Sequence, residues 1–299
     1  MSPTQLSSSS AAALASKSSW LSKPIKGLLL DITGVLYESG TTNAINGSLD
    51  AISKLRHAGL PFRLVTNETM KITTKLIEKL NNFGYDFQKH EVITPGMICR
   101  QYLIDNNLRP HFLIYPDLEP EFDDIDRSNP NCVVIGDAEH YFTFERLNEC
   151  FQLLMLLKEQ HESFNRTNNL LISLGRNRYY RQRNELIMDL GCFTAALEYG
   201  TDLEAMIIGK PSKEYFQSAI QTFNDPTITN DNIIMIGDDI IGDVQGAQNS
   251  GIRGILVRTG KYLPLNENHP FVRPDGIVDN LADAVDQILR NQHGQQQQS

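Results

Sequence analysis

Leu28-Leu29-Leu30-Asp31-Ile32-Thr33-Gly34-Val35 opens with an unbroken apolar run and then sets a carboxylate, a hydroxyl and a glycine close together. A short apolar run closed by a turn signal reads as a strand buried on both faces, the kind found in parallel sheets covered by helices. A carboxylate at the carboxyl end of such a strand stands where open parallel sheets bind their ligands. An ordinary strand end or helix cap has the same local pattern, so this segment alone leaves both readings open.

The surrounding sequence extends the pattern. A helix is expected from Leu49, capped by Ser48 and stopped at Gly59, with Leu49, Ile52 and Leu55 on one face. A strand over 62–66 and a helix over 73–83, ended by Gly84, follow. The late chain repeats this grammar with strands over 232–237 and 254–257, a helix over 243–250, and a closing helix over 280–290. Between the halves lies a stretch with its own strands (112–115, 132–135, 170–174) and a helix over 144–158, too structured for a loop. The fold expected is α/β: a doubly wound parallel-sheet core, 23–95 and 205–292, interrupted by an α/β cap over 96–204. Residues 1–22, rich in Ser and Ala, and 293–299, rich in Gln, read as disordered tails.

Composition excludes several classes. The formal net charge of −9 leaves no broad basic surface for nucleic acid. No apolar run approaches the roughly 18 residues of a membrane span. The four cysteines, Cys99, Cys132, Cys150 and Cys192, have neither disulfide nor zinc-site spacing and read as reduced thiols. That makes glycosylation unexpected at Asn46-Gly47-Ser48, Asn67-Glu68-Thr69 and Asn165-Arg166-Thr167.

Two further segments carry chemistry. Leu64-Val65-Thr66-Asn67 puts a hydroxyl and a carboxamide after a buried strand, suited to phosphoryl oxygens. Gly209-Lys210-Pro211-Ser212 and Gly237-Asp238-Asp239-Ile240-Ile241-Gly242-Asp243 supply one compact cation and the hard carboxylate oxygens that magnesium prefers. Taken singly, Lys210 reads first as a surface lysine, and the aspartates also fit a helix cap.

Together, and in this order, the four segments resemble the haloacid dehalogenase superfamily, over nearly everything from Lys26 to about Arg290. The resemblance implies a magnesium-dependent phosphohydrolase in which Asp31 is the nucleophile, Ile32, Thr33, Thr66 and Asn67 bind the phosphoryl group, and Lys210 neutralises it. It also implies that Asp31, the Thr33 carbonyl and Asp238 hold Mg2+, with Asp239 and Asp243 behind them. Narrower matches, at 29–37, 66–68, 128–134, 174–180, 191–199 and 237–244, are similar to a branch that cleaves pyrophosphate and the P–N bonds of phosphohistidine and phospholysine. They imply a cytosolic or nuclear homodimer acting on phosphorylated small molecules or proteins.

One departure matters. Most phosphatases of that superfamily carry a second aspartate two residues after the nucleophile, as the acid for the leaving group; here Thr33 stands there. General acid help is typically worth about 10² to 10⁴ in rate, so leaving groups that need little protonation should be favoured. Pyrophosphate and phosphohistidine meet that condition; phospholysine, whose amine must be protonated, meets it less well. The alternatives are a pyridoxal phosphate or sugar phosphate phosphatase of the same fold, and an inactive scaffold for phosphorylated proteins. Arg176, Arg178, Tyr179, Tyr180, Arg181 and Arg183 form a basic, aromatic cluster that reads first as a solvated loop face.

Overall fold

The computed structural model describes residues 19–41, 43–160, 169–182 and 185–296. In chain order the core begins with β1 (Gly27–Leu30), α1 (Ser48–His57), β2 (Phe62–Val65), α2 (Thr73–Asn82), β3 (Val92–Ile93) and α3 (Pro95–Asp105). The inserted segment holds β4 (Pro110–Leu113), β5 (Cys132–Ile135), α4 (Phe144–Gln160), β6 (Leu171–Ser173), a hairpin of β7 (Tyr179–Gln182) and β8 (Glu185–Met188), α5 (Leu190–Thr201) and β9 (Met206–Ile207). The chain then returns through α6 (Lys213–Gln221), β10 (Ile233–Gly237), a π-helical turn (Ile240–Gln245) running into α7 (Gly246–Asn249), β11 (Arg253–Val257), β12 (Gly276–Val278) and α8 (Leu281–Gln296).

The main sheet is six-stranded and parallel, in the order β12-β11-β10-β1-β2-β3. The opening apolar run is its centre, with Leu28 opposite both Phe62 and Ile234. Its side chains alternate between two cores, as a sheet covered on both faces requires. Leu28 and Leu30 join Ile52 and Leu55 of α1 and Val285 and Ile288 of α8 on one face, while Leu29 joins Tyr215, Phe216 and Ala219 of α6 on the other. A second parallel sheet, β4-β5-β6-β9, has a core of its own that includes Cys132, Ile172, Leu154 and Leu197. Helix α3 lies where the insertion departs: Cys99 and Leu103 enter the cap core, while Met97 packs against the main sheet. The expected doubly wound core with an inserted α/β cap is the architecture found.

Several local expectations are corrected. Ser48 does not cap α1 from outside; it is the buried first residue, its hydroxyl 2.6 Å from both the Ile45 carbonyl oxygen and the Tyr85 hydroxyl, and Gly47 with φ 79° precedes it. The buried face of α1 is therefore Ala51, Ile52 and Leu55, and Leu49 is 39% exposed. The helix expected from Asp243 starts earlier, because Asp239 Oδ1 accepts the Ile241 and Gly242 N–H groups at 3.0 and 2.9 Å. The tail expected through residue 22 ends sooner: Ser19–Leu21 form a 3₁₀ turn with Trp20 buried, and Arg253 donates to the carbonyls of Trp20, Pro24 (3.0 Å) and Asp231 (3.1 Å). At the other end α8 carries on through 293–296. Residues 1–18, the Asn165 sequon, Arg183 and 297–299 lie outside the described residues. Among the described residues no helix is long and apolar enough to cross a membrane.

Trp20 lies against Gly276, where an added Cβ would come within 2.4 Å of its Cδ1. Gly276→Ala is expected to destabilise the fold by about 1–3 kcal/mol through overpacking. Urea unfolding followed by the fluorescence of Trp20, the only tryptophan, measures it; a curve that superimposes on the wild type would refute this packing argument.

Candidate active site

Four segments meet beyond the carboxyl ends of the central strands. Asp31 follows β1, and its N–H donates to the Ile236 carbonyl of β10 at 2.9 Å. Asp238 follows β10, Thr66 follows β2, and Lys210 lies just after β9, where the chain returns from the cap. Asp31, Thr66, Lys210, Asp238 and Asp243 are all buried. The Lys210 ammonium donates to Asp31 Oδ1 and, at 2.7 Å, to Asp243 Oδ1. It is thus a buried bridge between the first and last motifs.

Lys210 is held by its backbone. Asn67 accepts the Lys210 N–H on Oδ1 at 2.8 Å and donates from Nδ2 to the Lys210 carbonyl at 2.9 Å. Asn67 is therefore committed to the lysine's peptide, a role its sequence position did not reveal. The Tyr215 hydroxyl lies 2.7 Å from the carbonyl oxygens of both Thr66 and Ile93 and fixes the end of β2. The Ile32 side chain is fully buried in the core, so that residue can meet a ligand only through its backbone. The Thr33 hydroxyl donates to the Tyr37 hydroxyl at 3.1 Å, and Tyr37 also accepts from Lys79 at 3.0 Å.

Asp31, Asp238 and Asp243 each offer a carboxylate oxygen within 4.8 Å of the others. Glycines make room for them. A Cβ on Gly34 or Gly260 would lie 2.1 or 2.0 Å from Asp238 Oδ2, and one on Gly237 would lie 2.1 Å from Asp243 Oδ2. Asp243 spends its Oδ1 on Lys210 and its Oδ2 on the Asp239 N–H at 3.0 Å, so it positions its neighbours. Asp238 Oδ2 accepts the Lys261 N–H at 2.6 Å, and the Lys261 ammonium pairs with Asp239 Oδ2 at 3.2 Å. Sequence reading overlooked Lys261, because nothing near it in the chain marks it.

Electrostatics give the cluster its demand. Burial pulls Lys210 down, but the fields of Asp243 and Asp31 outweigh it and raise its pKa, so the lysine remains charged. Burial, then Asp31 and Asp243, push Asp238 well above the usual carboxylate range. Asp243 is pushed up to about 7, first by burial and then by Asp31 and Asp239, against the pull of Lys210. Ionised together, three buried carboxylates would outnumber the one ammonium they share, and their hard oxygens fit a divalent cation that would offset that charge.

Two family models match the chain, one for haloacid dehalogenase-like hydrolases over residues 28–136 and one for HAD hydrolase-like proteins over residues 207–284. A rat protein named phospholysine phosphohistidine inorganic pyrophosphate phosphatase is 47% identical over 269 residues, 89% of this chain and 95% of that one. The chain belongs to the haloacid dehalogenase-like hydrolases. The human protein of the same name is 44% identical over 89% of this chain and 95% of its own. Among solved structures, the 4-nitrophenylphosphatase of Thermotoga maritima superposes with a TM-score of 0.76 at 25% identity, covering 88% of this chain and 97% of that one. With relatives of this kind, the chain is an enzyme, a phosphatase of the haloacid dehalogenase superfamily, and a divalent metal is in keeping with its carboxylates.

Two outcomes follow for this site. Asp243 holds its proton more tightly in the folded than in the unfolded chain, so without metal it favours folding less as pH rises from its ordinary 3.8 to about 7. The metal-free melting temperature should therefore fall between about pH 5 and about pH 8, and Mg2+ should raise it more at the upper pH; an equal rise at both would contradict the charge excess. Gly260→Ala should weaken divalent-cation binding about tenfold or more, read by calorimetry, by displacing Asp238.

Proposed function

We propose that this chain is a magnesium-dependent phosphohydrolase that works through a phosphoaspartate on Asp31, with pyrophosphate and the P–N bonds of phosphohistidine and phospholysine as substrates. The observation that carries the mechanism is the buried Lys210 bridge to Asp31 and Asp243. The substrate class is supported by the names of the relatives at 44–47% identity and by Thr33. With its hydroxyl engaged by Tyr37, Thr33 offers no acid to a departing alkoxide.

Asp31, at the end of the central strand, attacks phosphorus in line while Lys210 offsets charge on the equatorial oxygens. Thr66, buried at the end of β2, takes a phosphoryl oxygen, and Asn67 contributes chiefly by fixing the lysine's peptide. Magnesium held by Asp31, Asp238 and the Thr33 carbonyl would supply further positive charge to the phosphoryl oxygens. Asp239 and Asp243 orient this set, Asp239 by starting the π-helical turn and Asp243 by holding Lys210. Hydrolysis of the phosphoaspartate by water then restores the carboxylate.

A second reading, an ester phosphatase acting on small molecules, is favoured by the 4-nitrophenylphosphatase likeness. The reading also carries a homodimer in the cytosol or nucleus. Four free cysteines, three of them buried, support a reducing compartment, and the exposed Tyr179, Leu186 and Met188 on the β7–β8 hairpin support an association surface.

Phosphate release from pyrophosphate, phosphohistidine and p-nitrophenyl phosphate, measured with Mg2+ on wild type and Asp31→Asn, tests the proposal. The expected result is release from the first two, with kcat lowered at least about 10³-fold in the variant. Persisting activity in Asp31→Asn would mean a different nucleophile, and a strong preference for the ester would favour the second reading. Thr33→Asp is expected to raise activity on alkyl phosphate esters by about 10²-fold by supplying the missing acid.

A further inference from the structure

Among the described residues a second cation, Lys261, lies against the cluster besides Lys210, and no step above uses it. Lys261 follows β11 in a loop pressed against the site. The Thr259 hydroxyl donates to the Gly34 carbonyl, Gly260 takes φ +61° with its Cα close beneath Gly34, and the Lys261 N–H donates to Asp238 Oδ2 at 2.6 Å. The loop is therefore fixed by the residues that define the cleft floor. Its side chain leaves that floor, pairs with Asp239 Oδ2 at 3.2 Å and remains 37% exposed. An ammonium has three N–H donors, and this ion pair uses one. By contrast, Lys210 is only 5% exposed, with both acid partners buried beside it.

Lys261 also stands toward the cap. Its charge is felt by Asp31 and Asp238 in the core and by Asp189, the N-cap of α5, in the cap. A group attacked in line by Asp31 departs on the side away from that carboxylate, so a cation that reaches from the core acids toward Asp189 of the cap is suited to receive it. From these positions the geometry points to Lys261 as the anchor for an anionic leaving group, the distal phosphoryl of pyrophosphate. This inference rests on the pyrophosphatase reading given above.

The chemistry balances without an acid. Asp31 attacks one phosphorus of HP2O7(3−), the bridging P–O bond breaks, and its electron pair leaves on HPO4(2−), which keeps the proton it carried in. Phosphoaspartate and water then return the carboxylate and H2PO4(−). What the first step needs is a cation for the departing dianion, and charge-assisted N–H bonds from Lys261 supply it. Phosphoimidazole that enters protonated on its distal nitrogen departs as neutral imidazole, which offers Lys261 no anionic oxygen to bind. Lys261 would thus select between two substrates that share Asp31, Lys210 and the metal.

The test compares kcat/KM with Mg2+ for pyrophosphate and for N-phosphoimidazole in wild type, Lys261→Gln and Lys261→Arg. Lys261→Gln should lose about tenfold or more on pyrophosphate and less than about threefold on phosphoimidazole, with Lys261→Arg recovering most of the loss. Binding gives a second readout: the thermal shift produced by methylenediphosphonate should shrink in Lys261→Gln while that produced by orthophosphate persists. A parallel loss on both substrates would overturn the inference, reducing Lys261 to support for Asp239, and so would unchanged pyrophosphate hydrolysis. Wild-type enzyme that cleaves phosphoimidazole but not pyrophosphate would remove the pyrophosphatase reading and this inference with it.

Discussion

One ammonium balances the centre of this protein. Lys210 meets Asp31 from the first strand and Asp243 from the turn after β10, all three buried, and Asp238 adds a third carboxylate within 4.8 Å of the other two acids. Burying unpaired charge is costly, so such an arrangement persists only where geometry and partners are fully specified. Every nearby specialisation serves that need. Gly34, Gly237 and Gly260 vacate the space the carboxylates fill, Asn67 clasps the lysine's peptide on both sides, and Tyr215 pins the strand end from which Asn67 reaches.

The site gathers charged groups and sets no acid two residues after Asp31. Where an acid would stand, Thr33 is tied to Tyr37, itself held by Lys79 through a hydrogen bond and through an ammonium 4.1 Å from its ring centroid. Cations are instead supplied by chain segments far apart in sequence, and a divalent ion fits the remaining excess of carboxylate.

Much of this was legible in the sequence because local signals agreed with the fold. The run Leu28–Leu30 is apolar at every position, since both faces of a central parallel strand are covered, and the polar residues after β1, β2 and β10 fall at neighbouring strand ends, where the turns bring their buried side chains together. Other features depend on neighbours that the sequence does not display. Lys261 looks like any loop lysine until β11 is set beside β10. Asn67 reads as a phosphate ligand, and nothing in its local sequence shows that its carboxamide also clasps the lysine's peptide. Trp20 sits in a stretch whose composition reads as tail, yet its indole completes the core against Gly276, and Ser48 turned inward because Tyr85 and the Ile45 carbonyl offered better partners than a helix end.

The pairing of β1 with both β2 and β10 bears on how the chain is made. β2 and β3 emerge from the ribosome soon after β1, but β10, β11 and β12 follow only when the whole cap has been synthesised. Until then the nascent core is half a sheet with its most apolar strand as an open edge, a template for unwanted pairing. The cap, with its own sheet and its own core, can fold in that interval. Lys210 arrives with the chain's return from the cap, so Asp31 gains its counter-charge only as that open edge is about to close.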